Sequence, residues 1–243
     1  MNKTALITGA SRGIGAAIAK EFAANNYNLA ICCLNSSNKL FSLAKELEEK
    51  NGITVLTFVG DVADYSFVKS MTDSALAQFN HIDVLINNAG ISHLGLLSDM
   101  TISDWNKIVS TNLTSVFSTC NCLIPSMVSR KSGKILQISS VWGNVGASCE
   151  VAYSACKGGI NSFTKALGKE LAPSNIQVNA IACGVIDTEM NHCFSDEERR
   201  AIADEIPASR FGKPEEVAKL ALDLCTGNEY LTGQIITLDG GWI

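Results

Sequence analysis

Seven apolar runs, separated by segments with helical periodicity, are the feature that most constrains how this chain can fold. The runs are TALIT (4–8), NLAICC (28–33), TVLTFV (54–59), IDVLIN (82–87), GKILQIS (133–139), IQVNAIA (176–182) and QIITLD (234–239). They show little alternation between apolar and polar residues, which is typical of strands covered on both faces in a parallel sheet. Because helical segments lie between them, the pattern predicts a single doubly wound α/β domain over residues 1–243.

Helical periodicity is clearest in five parts of the chain. They are residues 14–24, 39–50, 101–130, 151–171 and 214–224. The longest, 101–130, is expected to form two helices that are split near Asn112. Pro214, followed by Glu215 and Glu216, is typical of a helix start, because proline is tolerated in the first turn and carboxylates face the positive end of the helix dipole.

The composition excludes several kinds of partner and site. A net charge of −5 and a pI near 5.2 argue against nucleic acid and anionic membranes. No apolar run approaches the roughly 20 residues of a membrane span, and the first residues enter a strand directly, so we expect no signal peptide. The odd count of nine cysteines, with Cys120 and Cys122 lacking a second ligand pair, indicates reduced, buried thiols and no metal site. We therefore expect a cytoplasmic protein.

The first strand leads into a glycine-rich turn, TGASRGIG, within which a helix begins. Gly9, Gly13 and Gly15 allow a tight turn and let the backbone approach a phosphate, while the helix N-terminus offers unpaired N–H groups to an anion. The position of this turn, after the first strand of a parallel α/β chain, predicts a nucleotide site.

The end of the second strand indicates which nucleotide is preferred. Enzymes that use NAD usually place an acidic residue there to bind the ribose 2′-hydroxyl, but the stretch ICCLNSSNK (31–39) has none. Arg12 in the glycine turn offers a guanidinium to a 2′-phosphate, and Asn35 and Ser36 can donate hydrogen bonds. The pattern favours NADP(H) over NAD(H).

Tyr153 and Lys157 are four residues apart, which places them on one face of a helix. Such a pair is either an ordinary surface contact or a tyrosine acid with a lysine beside it, and the spacing alone does not decide between these. Two serines, Ser139 and Ser140, lie just upstream.

Taken together and in order, these motifs resemble the short-chain dehydrogenase/reductase family. The motifs are TGASRGIG, GDVAD (60–64), NNAG (87–90), Asn112, Ser140, Tyr153 with Lys157, and LTGQIITLDGG (231–241). The resemblance covers the whole chain and implies a Rossmann fold with a seven-stranded parallel sheet in the order 3-2-1-4-5-6-7. It also implies a nicotinamide cofactor and a catalytic tetrad of Asn112, Ser140, Tyr153 and Lys157. Ser140 is favoured over Ser139 because the family's serine lies thirteen residues before the tyrosine.

The resemblance also implies a set of cofactor-binding positions. They are Gly9, Ser11, Arg12, Gly13, Ile14, Gly15, Asn35, Ser36, Asp61, Val62, Asn87, Ala89, Gly90, Tyr153, Lys157, Gly184, Ile186 and Thr188. One departure from the family pattern is Cys183-Gly184, where a proline usually precedes the glycine. Because proline stiffens such a turn, we expect the loop 184–207, including His192 and Cys193 as lid residues, to be more mobile.

The implied chemistry assigns a role to each tetrad residue. A cation about 4 Å away at an effective dielectric of about 20 is worth roughly 4 kcal/mol, so Lys157 is expected to lower the pKa of Tyr153 from near 10 toward 7. Tyr153 would then be the general acid, and Lys157 would also hold the nicotinamide ribose. Ser140 would hydrogen-bond the substrate oxygen, and Asn112 would anchor a water in a proton relay.

The substrate is less constrained. Within the family, the chain is most similar to bacterial 3-oxoacyl-[acyl-carrier-protein] reductases, through SRFGKPEEVAKLALDL (209–224) and its length. Carrier-protein docking would use two basic positions beside the cleft, of which Lys131 matches one whereas Ser174 stands at the other.

The alternatives are an elongation factor P 5-aminopentanone reductase and a hydroxysteroid or small-alcohol dehydrogenase. The first is suggested by Trp142 and by Glu150, a carboxylate that would pair with an amine-bearing substrate. A cofactor-sensing protein without catalysis is disfavoured because the tetrad is complete. The family usually forms homotetramers, and we expect the same here.

Overall fold

Every apolar run forms a strand of one parallel sheet. The computed structural model of the protein describes residues 2–191 and 194–243. The strands are β1 (Thr4–Ile7), β2 (Asn28–Cys33), β3 (Val55–Val59), β4 (Val84–Asn87), β5 (Gly133–Ser140), β6 (Ile176–Cys183) and β7 (Ile235–Leu238). Their order is β3-β2-β1-β4-β5-β6-β7, all parallel, which confirms the Rossmann-type fold implied by the family resemblance.

The helices lie between these strands. Those in the described part of the chain are α1 (Gly13–Ala24), α2 (Ser37–Asn51), α3 (Tyr65–Phe79), α4 (Ile102–Val109), α5 (Ser115–Arg130), α6 (Trp142–Val145), α7 (Val151–Leu171), α8 (Asp196–Glu205) and α9 (Pro214–Thr226). The segments predicted from periodicity are confirmed with ends shifted by two residues at most, whereas α3, α6 and α8 were not predicted. Among these described helices, none combines the length and the apolar character needed to cross a membrane.

The sheet is covered on both faces, as its apolar strands predict. On β1, Ala5 and Ile7 pack into the cluster that contains α1, α2 and α9, while Leu6 packs into the cluster of α3, α5 and α7. Alternate residues of a strand point to opposite faces, so a strand buried on both sides must be apolar throughout.

The expected split near Asn112 takes the form of a π turn. Residues Ser110–Thr114 connect α4 to α5 without a break in the helical path. Such turns are rare and occur frequently at functional sites. The side chain of Asn112 is buried there and forms hydrogen bonds with the backbone of Ile91, which follows the carboxyl end of β4.

The strand order reverses at β1, which pairs with β2 on one side and β4 on the other. The connections that follow β1 and β4 therefore diverge to opposite faces of the sheet and leave a crevice beyond the carboxyl ends of these strands. Ligands of open α/β sheets bind in such crevices, and the candidate site lies there.

Candidate active site

A cavity of about 430 Å³ lies along the carboxyl edge of the sheet. It has a size typical of small-molecule sites. Most of the residues selected from the sequence line it. They are Gly9, Ser11, Arg12, Gly13, Ile14, Asn35, Ser36, Asp61, Val62, Ala89, Gly90, Ser140, Trp142, Glu150, Tyr153, Lys157, Gly184, Ile186 and Thr188.

Three of the selected residues, Gly15, Asn87 and Asn112, are outside this lining. A Cβ atom at Gly15 would collide with the carbonyl oxygen of Gly9, so Gly15 is needed for packing. The amide oxygen of Asn87 accepts a hydrogen bond of 2.7 Å from the buried Thr119 hydroxyl. Asn87 points away from the cavity because neighbouring strand residues face opposite sides of the sheet.

The glycine turn is built for close approach of backbone atoms. Gly9 has a φ of 67°, and a Cβ atom there would lie 2.9 Å from the Cα of Ala89. Asn88, which the sequence analysis did not select, fixes the turn by donating hydrogen bonds from its amide to the carbonyl oxygens of Thr8 and Gly9 at 2.9 and 3.0 Å. The turn is thereby held against the end of β4.

The N-terminus of α1 faces this cavity and has the properties of an anion site. Arg12 occupies the N-cap position without a side-chain cap, and the first turn carries no acidic residue. The first N–H groups of a helix have no partner inside it and attract phosphate. The residues present therefore fit the pyrophosphate of a dinucleotide.

The end of the cavity beside this helix start, near the carboxyl end of β2, is cationic. Arg12 lines it together with Asn35 and Ser36. Lys39, in the first turn of α2, is a further cation there that the sequence analysis did not select. Both cations contact Glu189, whose carboxylate lies 3.2 Å from Arg12 and 2.7 Å from Lys39. Glu189 follows β6 and was not selected from the sequence, since its partners are distant along the chain.

The structure distinguishes the two neighbouring serines. Both serines line the cavity, but the Ser140 hydroxyl lies beside the Tyr153 hydroxyl and accepts a hydrogen bond of 3.2 Å from the Trp142 backbone N–H. The Ser139 hydroxyl instead donates a hydrogen bond of 2.6 Å to the buried Asn161 side chain. Ser140 is therefore the serine that is available to a ligand.

Lys157 lies one helical turn after Tyr153 and is buried. Its Nζ donates a hydrogen bond of 2.7 Å to the carbonyl oxygen of Ile138 and lies 5.4 Å from the centroid of the Tyr153 ring. The pair is thus a cation placed over an aromatic ring at the end of β5, and the reading as a surface contact is excluded by its burial.

The pKa values of this pair differ from the expectation. Burial raises the pKa of Tyr153 above its usual value of 10, the Glu150 carboxylate and the Cys183 thiol add to this, and the Ser140 hydroxyl opposes it. Burial also lowers the pKa of Lys157 from 10.5 to about 8. The prediction that Lys157 brings the Tyr153 pKa toward 7 is therefore wrong for the protein alone. The cost of removing a charged phenolate from water is larger than its attraction to the Lys157 ammonium, which faces the Tyr153 ring and the Ile138 carbonyl oxygen.

Asn112 supports the site from behind. Its amide group accepts a hydrogen bond from the Ile91 N–H and donates one to the Ile91 carbonyl oxygen, both of 2.8 Å. A Cβ atom at Gly90 would lie 3.3 Å from the Asn112 side-chain oxygen and 3.8 Å from the Lys157 Nζ. Asn112 therefore fixes the strand end that runs past the lysine.

Aromatic residues and one carboxylate form the other end of the cavity. The rings of Trp142 and Trp242 meet edge to face with centroids 5.1 Å apart, and both line the cavity. Glu150 is half-buried, and burial raises its pKa while a hydrogen bond with the Trp142 side chain opposes the change. Trp242 was not selected from the sequence, although it lies in the stretch DGGW that directly follows β7.

The positions expected to dock a carrier protein, and the nearby Cys183 thiol, have clear structural surroundings. Lys131 precedes β5 and Ser174 precedes β6, so both lie at the amino edge of the sheet. The strands from there to the cavity span about 20 Å, so these positions are not beside the cleft within one chain. Burial raises the pKa of the Cys183 thiol to about 12, which keeps it protonated and argues against a reactive role.

The loop 184–207 is joined to the rest of the molecule by backbone and side-chain contacts. Ile186 forms a parallel bridge with Gly212, and Glu189 forms an ion pair of 2.7 Å with Lys39 of α2. Within the loop, Asp187 forms an ion pair of 2.7 Å with Arg199 of α8. His192 and Cys193, which were expected to be lid residues, lie outside the described residues.

Comparisons with known proteins identify the family of the chain. A family model described as short chain dehydrogenase matches residues 3–199. The uncharacterised oxidoreductase YmfI of Bacillus subtilis is 41% identical over 100% of this chain and 99% of its own. The 3-oxoacyl-[acyl-carrier-protein] reductase FabG of Chlamydia trachomatis is 41% identical over 99% of this chain and 97% of its own.

Solved structures are similar over the same extent. YwfH, an NADPH-dependent reductase involved in bacilysin biosynthesis, is 27% identical with a TM-score of 0.95, covering 100% of this chain and 99% of its own. A 3-oxoacyl-[acyl-carrier protein] reductase from Brucella melitensis is 34% identical with a TM-score of 0.93, covering 99% and 91% of the two chains.

Proposed function

This chain belongs to the short-chain dehydrogenase family, and we propose that it is an NADPH-dependent reductase that transfers hydride to a ketone. One observation carries the proposal. A single cavity joins a cationic end at Arg12, an uncapped helix N-terminus at Gly13, and the group formed by Ser140, Tyr153 and Lys157. These three parts match the 2′-phosphate, the pyrophosphate and the reacting end of the cofactor.

The residues of the chain would divide the binding of NADPH among them. The cofactor itself supplies the hydride. Arg12, Asn35 and Ser36 would bind its 2′-phosphate, and Asp61 and Val62 would contact the adenine. Other parts of the cavity would enclose the remaining groups, namely Gly9, Ser11, Gly13 and Ile14 at the pyrophosphate, and Ala89, Gly90, Gly184, Ile186 and Thr188 toward the nicotinamide.

Tyr153 would donate the proton. Because burial keeps its phenol protonated at neutral pH, Tyr153 is in the state that a reductase needs. Ser140, beside it, would hydrogen-bond the carbonyl oxygen as negative charge develops there. The Tyr153 O–H bond would break as the new alcohol O–H bond forms. Lys157, one turn further along α7, would hold the cofactor ribose.

The first candidate substrate is a 3-oxoacyl thioester carried on acyl carrier protein. It is supported by full-length similarity to reductases with that name. It is also supported by an apolar rim, in which Ile91 and Leu94 line the cavity and Leu96 and Leu97 are exposed beside it. An acyl chain would bury part of this surface.

A second candidate is an amine-bearing ketone, such as a 5-aminopentanone adduct on a lysine of elongation factor P. Glu150, half-buried against Trp142 and near Trp242, favours it. A carboxylate and aromatic faces together bind an ammonium group, whereas an acyl thioester has no charge for Glu150 to pair with.

The variant Glu150→Gln separates these substrates. NADPH oxidation with an acetoacetyl thioester should be unchanged in this variant. With an amine-bearing ketone, kcat/KM should fall about tenfold or more, because a partly buried charge pair is lost. Mass spectrometry of elongation factor P from a deletion strain supplies the second readout. An accumulated unreduced adduct would support the amine-bearing substrate, whereas a normal adduct would favour the acyl thioester.

The remaining expectations belong to the same proposal. We propose one catalytic domain over residues 1–243, which forms a homotetramer and acts in the cytoplasm. Light scattering during size-exclusion chromatography tests the oligomeric state.

A further inference from the structure

Two cations at the end of the cavity share one carboxylate. Arg12 lies at the N-cap of α1, Lys39 lies in the first turn of α2, and Glu189 follows β6. The Glu189 Oε1 atom accepts a hydrogen bond of 2.7 Å from Lys39, and its Oε2 atom lies 3.2 Å from the Arg12 Nη1 atom. Three separate elements therefore meet in one ion-pair cluster.

The cluster occupies the end of the cavity that the proposed function assigns to the 2′-phosphate. Arg12 and Glu189 both line the cavity there, beside Asn35 and Ser36. The end of β2 offers no acid in this region, so the negative charge comes from Glu189 on a different loop. A carboxylate and a phosphate bound by the same cations would repel each other, and they cannot both occupy the place between Arg12 and Lys39.

We propose that Glu189 is an internal competitor of the cofactor 2′-phosphate and thereby a specificity-determining residue, an inference that rests on the proposed use of NADPH. The Glu189 carboxylate takes the place of two phosphate oxygens between Arg12 and Lys39. It must move out of this position when the phosphate binds. It reduces the preference for NADPH over NADH because only the phosphorylated cofactor competes with it.

The magnitude of the effect follows from exposure. The side chains of Arg12 and Lys39 are 61% and 58% exposed, and ion pairs between exposed side chains are weak. A phosphate that carries nearly two charges displaces such a carboxylate. Glu189 therefore tunes the affinity and does not block it. Its pKa is lowered by the hydrogen bond from Lys39, with Arg12 adding to this, so Glu189 stays ionised at neutral pH.

Adenosine 2′,5′-bisphosphate and 5′-AMP are the probes, because they differ only in the 2′-phosphate. Isothermal titration of Glu189→Gln should show about two- to fivefold tighter binding of the bisphosphate, the range of a weak exposed ion pair, with 5′-AMP unchanged. Glu197→Gln is the matched control. It removes the same charge from an exposed position of α8 that forms no ion pair among the described residues, and it should bind both probes like the wild type.

A second background makes the test specific. In Lys39→Met, the gain from Glu189→Gln should shrink, because one of the two shared cations is gone. Binding of the bisphosphate that is equal or weaker in Glu189→Gln would overturn the inference, while discrimination between the two probes in the wild type would leave the NADPH proposal standing. If the wild type binds both probes equally and Arg12→Gln changes nothing, the NADPH proposal fails and the inference fails with it.

Discussion

Tyr153 and Lys157 are both shifted by burial toward their neutral forms. The pKa of the phenol is raised and that of the ammonium is lowered to about 8. At neutral pH the tyrosine is thus fully protonated and the lysine still mostly charged, which suits proton donation to a ketone more than proton abstraction from an alcohol. These protonation states fit the ketone reduction that is proposed above.

Replacing Tyr153 by Phe tests the proton donor. The variant keeps the ring that contacts Lys157 and removes the hydroxyl beside Ser140. Turnover should fall by about 10²- to 10⁴-fold, the usual worth of general acid catalysis, while the Kd for NADPH stays unchanged. Tyr65→Phe is the control, because the Tyr65 hydroxyl contacts Asn121 outside the cavity. Substantial turnover in Tyr153→Phe would exclude tyrosine as the acid.

Lys157 makes cofactor binding depend on pH. If its ammonium holds the ribose, the Kd for NADPH should be constant below about pH 7.5 and rise above pH 8, as Lys157 loses its proton. Lys157→Met should bind about 10- to 100-fold more weakly, the worth of a charged hydrogen bond, and with no such rise. Fluorescence titration between pH 6.5 and 9.5 measures both curves. A wild-type Kd that stays flat over this range would show that the ammonium does not contribute.

Sequence analysis predicts residues of the site best where motifs are local. It selects Ser140 over Ser139, which the opposite directions of the two hydroxyls support. It misses Lys39, Glu189 and Trp242, because their partners are far away in the chain and only the fold brings them together. The pKa predicted for Tyr153 is wrong for a related reason, because the burial that raises it is a property of the folded molecule.

At the scale of elements, prediction follows the strength of the apolar pattern. The helix α8 was not found because DEERRAIADE offers no buried residue, and α6 is a single turn of four residues. The helix α9 was found from Pro214 and the carboxylates after it. One of these, Glu216, does more than face the helix dipole. It accepts two hydrogen bonds from Arg210, of 2.8 and 2.7 Å, and one of 2.7 Å from the Lys213 N–H.

The variant Glu216→Gln tests this helix start. It should lower the free energy of unfolding by about 1 kcal/mol, which is about 2–4 °C in Tm for a chain of this size. Hydrogen bonds from Arg210 and Lys213 lower the pKa of Glu216 from 4.5 to about 2. Its contribution is therefore fully present above pH 4.5 and is lost as the pH falls toward 2.

Thermal unfolding at several pH values measures the difference. The difference in Tm between the wild type and Glu216→Gln should become steadily smaller below pH 4.5. Glu215→Gln is the control, because Glu215 also lies in the first turn of α9 but its side chain accepts no hydrogen bond among the described residues. Equal losses in both variants would assign the effect to the helix dipole and not to Arg210.

At the scale of the whole molecule, the strand runs predict a doubly wound sheet, but their order came from the family resemblance. Nothing in the periodicity of β1 decides that it lies between β2 and β4. That placement creates the crevice, and the cavity then takes residues from the segments that follow all seven strands, from Gly9 after β1 to Trp242 after β7. A ligand that fills this cavity would therefore contact segments along the whole carboxyl edge of the sheet.

Cofactor binding should consequently stabilise the molecule as a whole. NADPH at 100 times its Kd adds about 2.7 kcal/mol to the free energy of unfolding, which corresponds to a rise in Tm of about 5–10 °C. At that same NADPH concentration, Arg12→Gln should lose about 1.4 kcal/mol of this gain if its Kd rises tenfold. The shift caused by NADH should change much less, because NADH lacks the 2′-phosphate that Arg12 is proposed to bind. Arg200→Gln removes a charge from α8 away from the cavity and should behave like the wild type in scanning calorimetry. Equal rises in Tm of the wild type with NADPH and NADH at the same concentration would contradict the preference for NADPH and the role of Arg12.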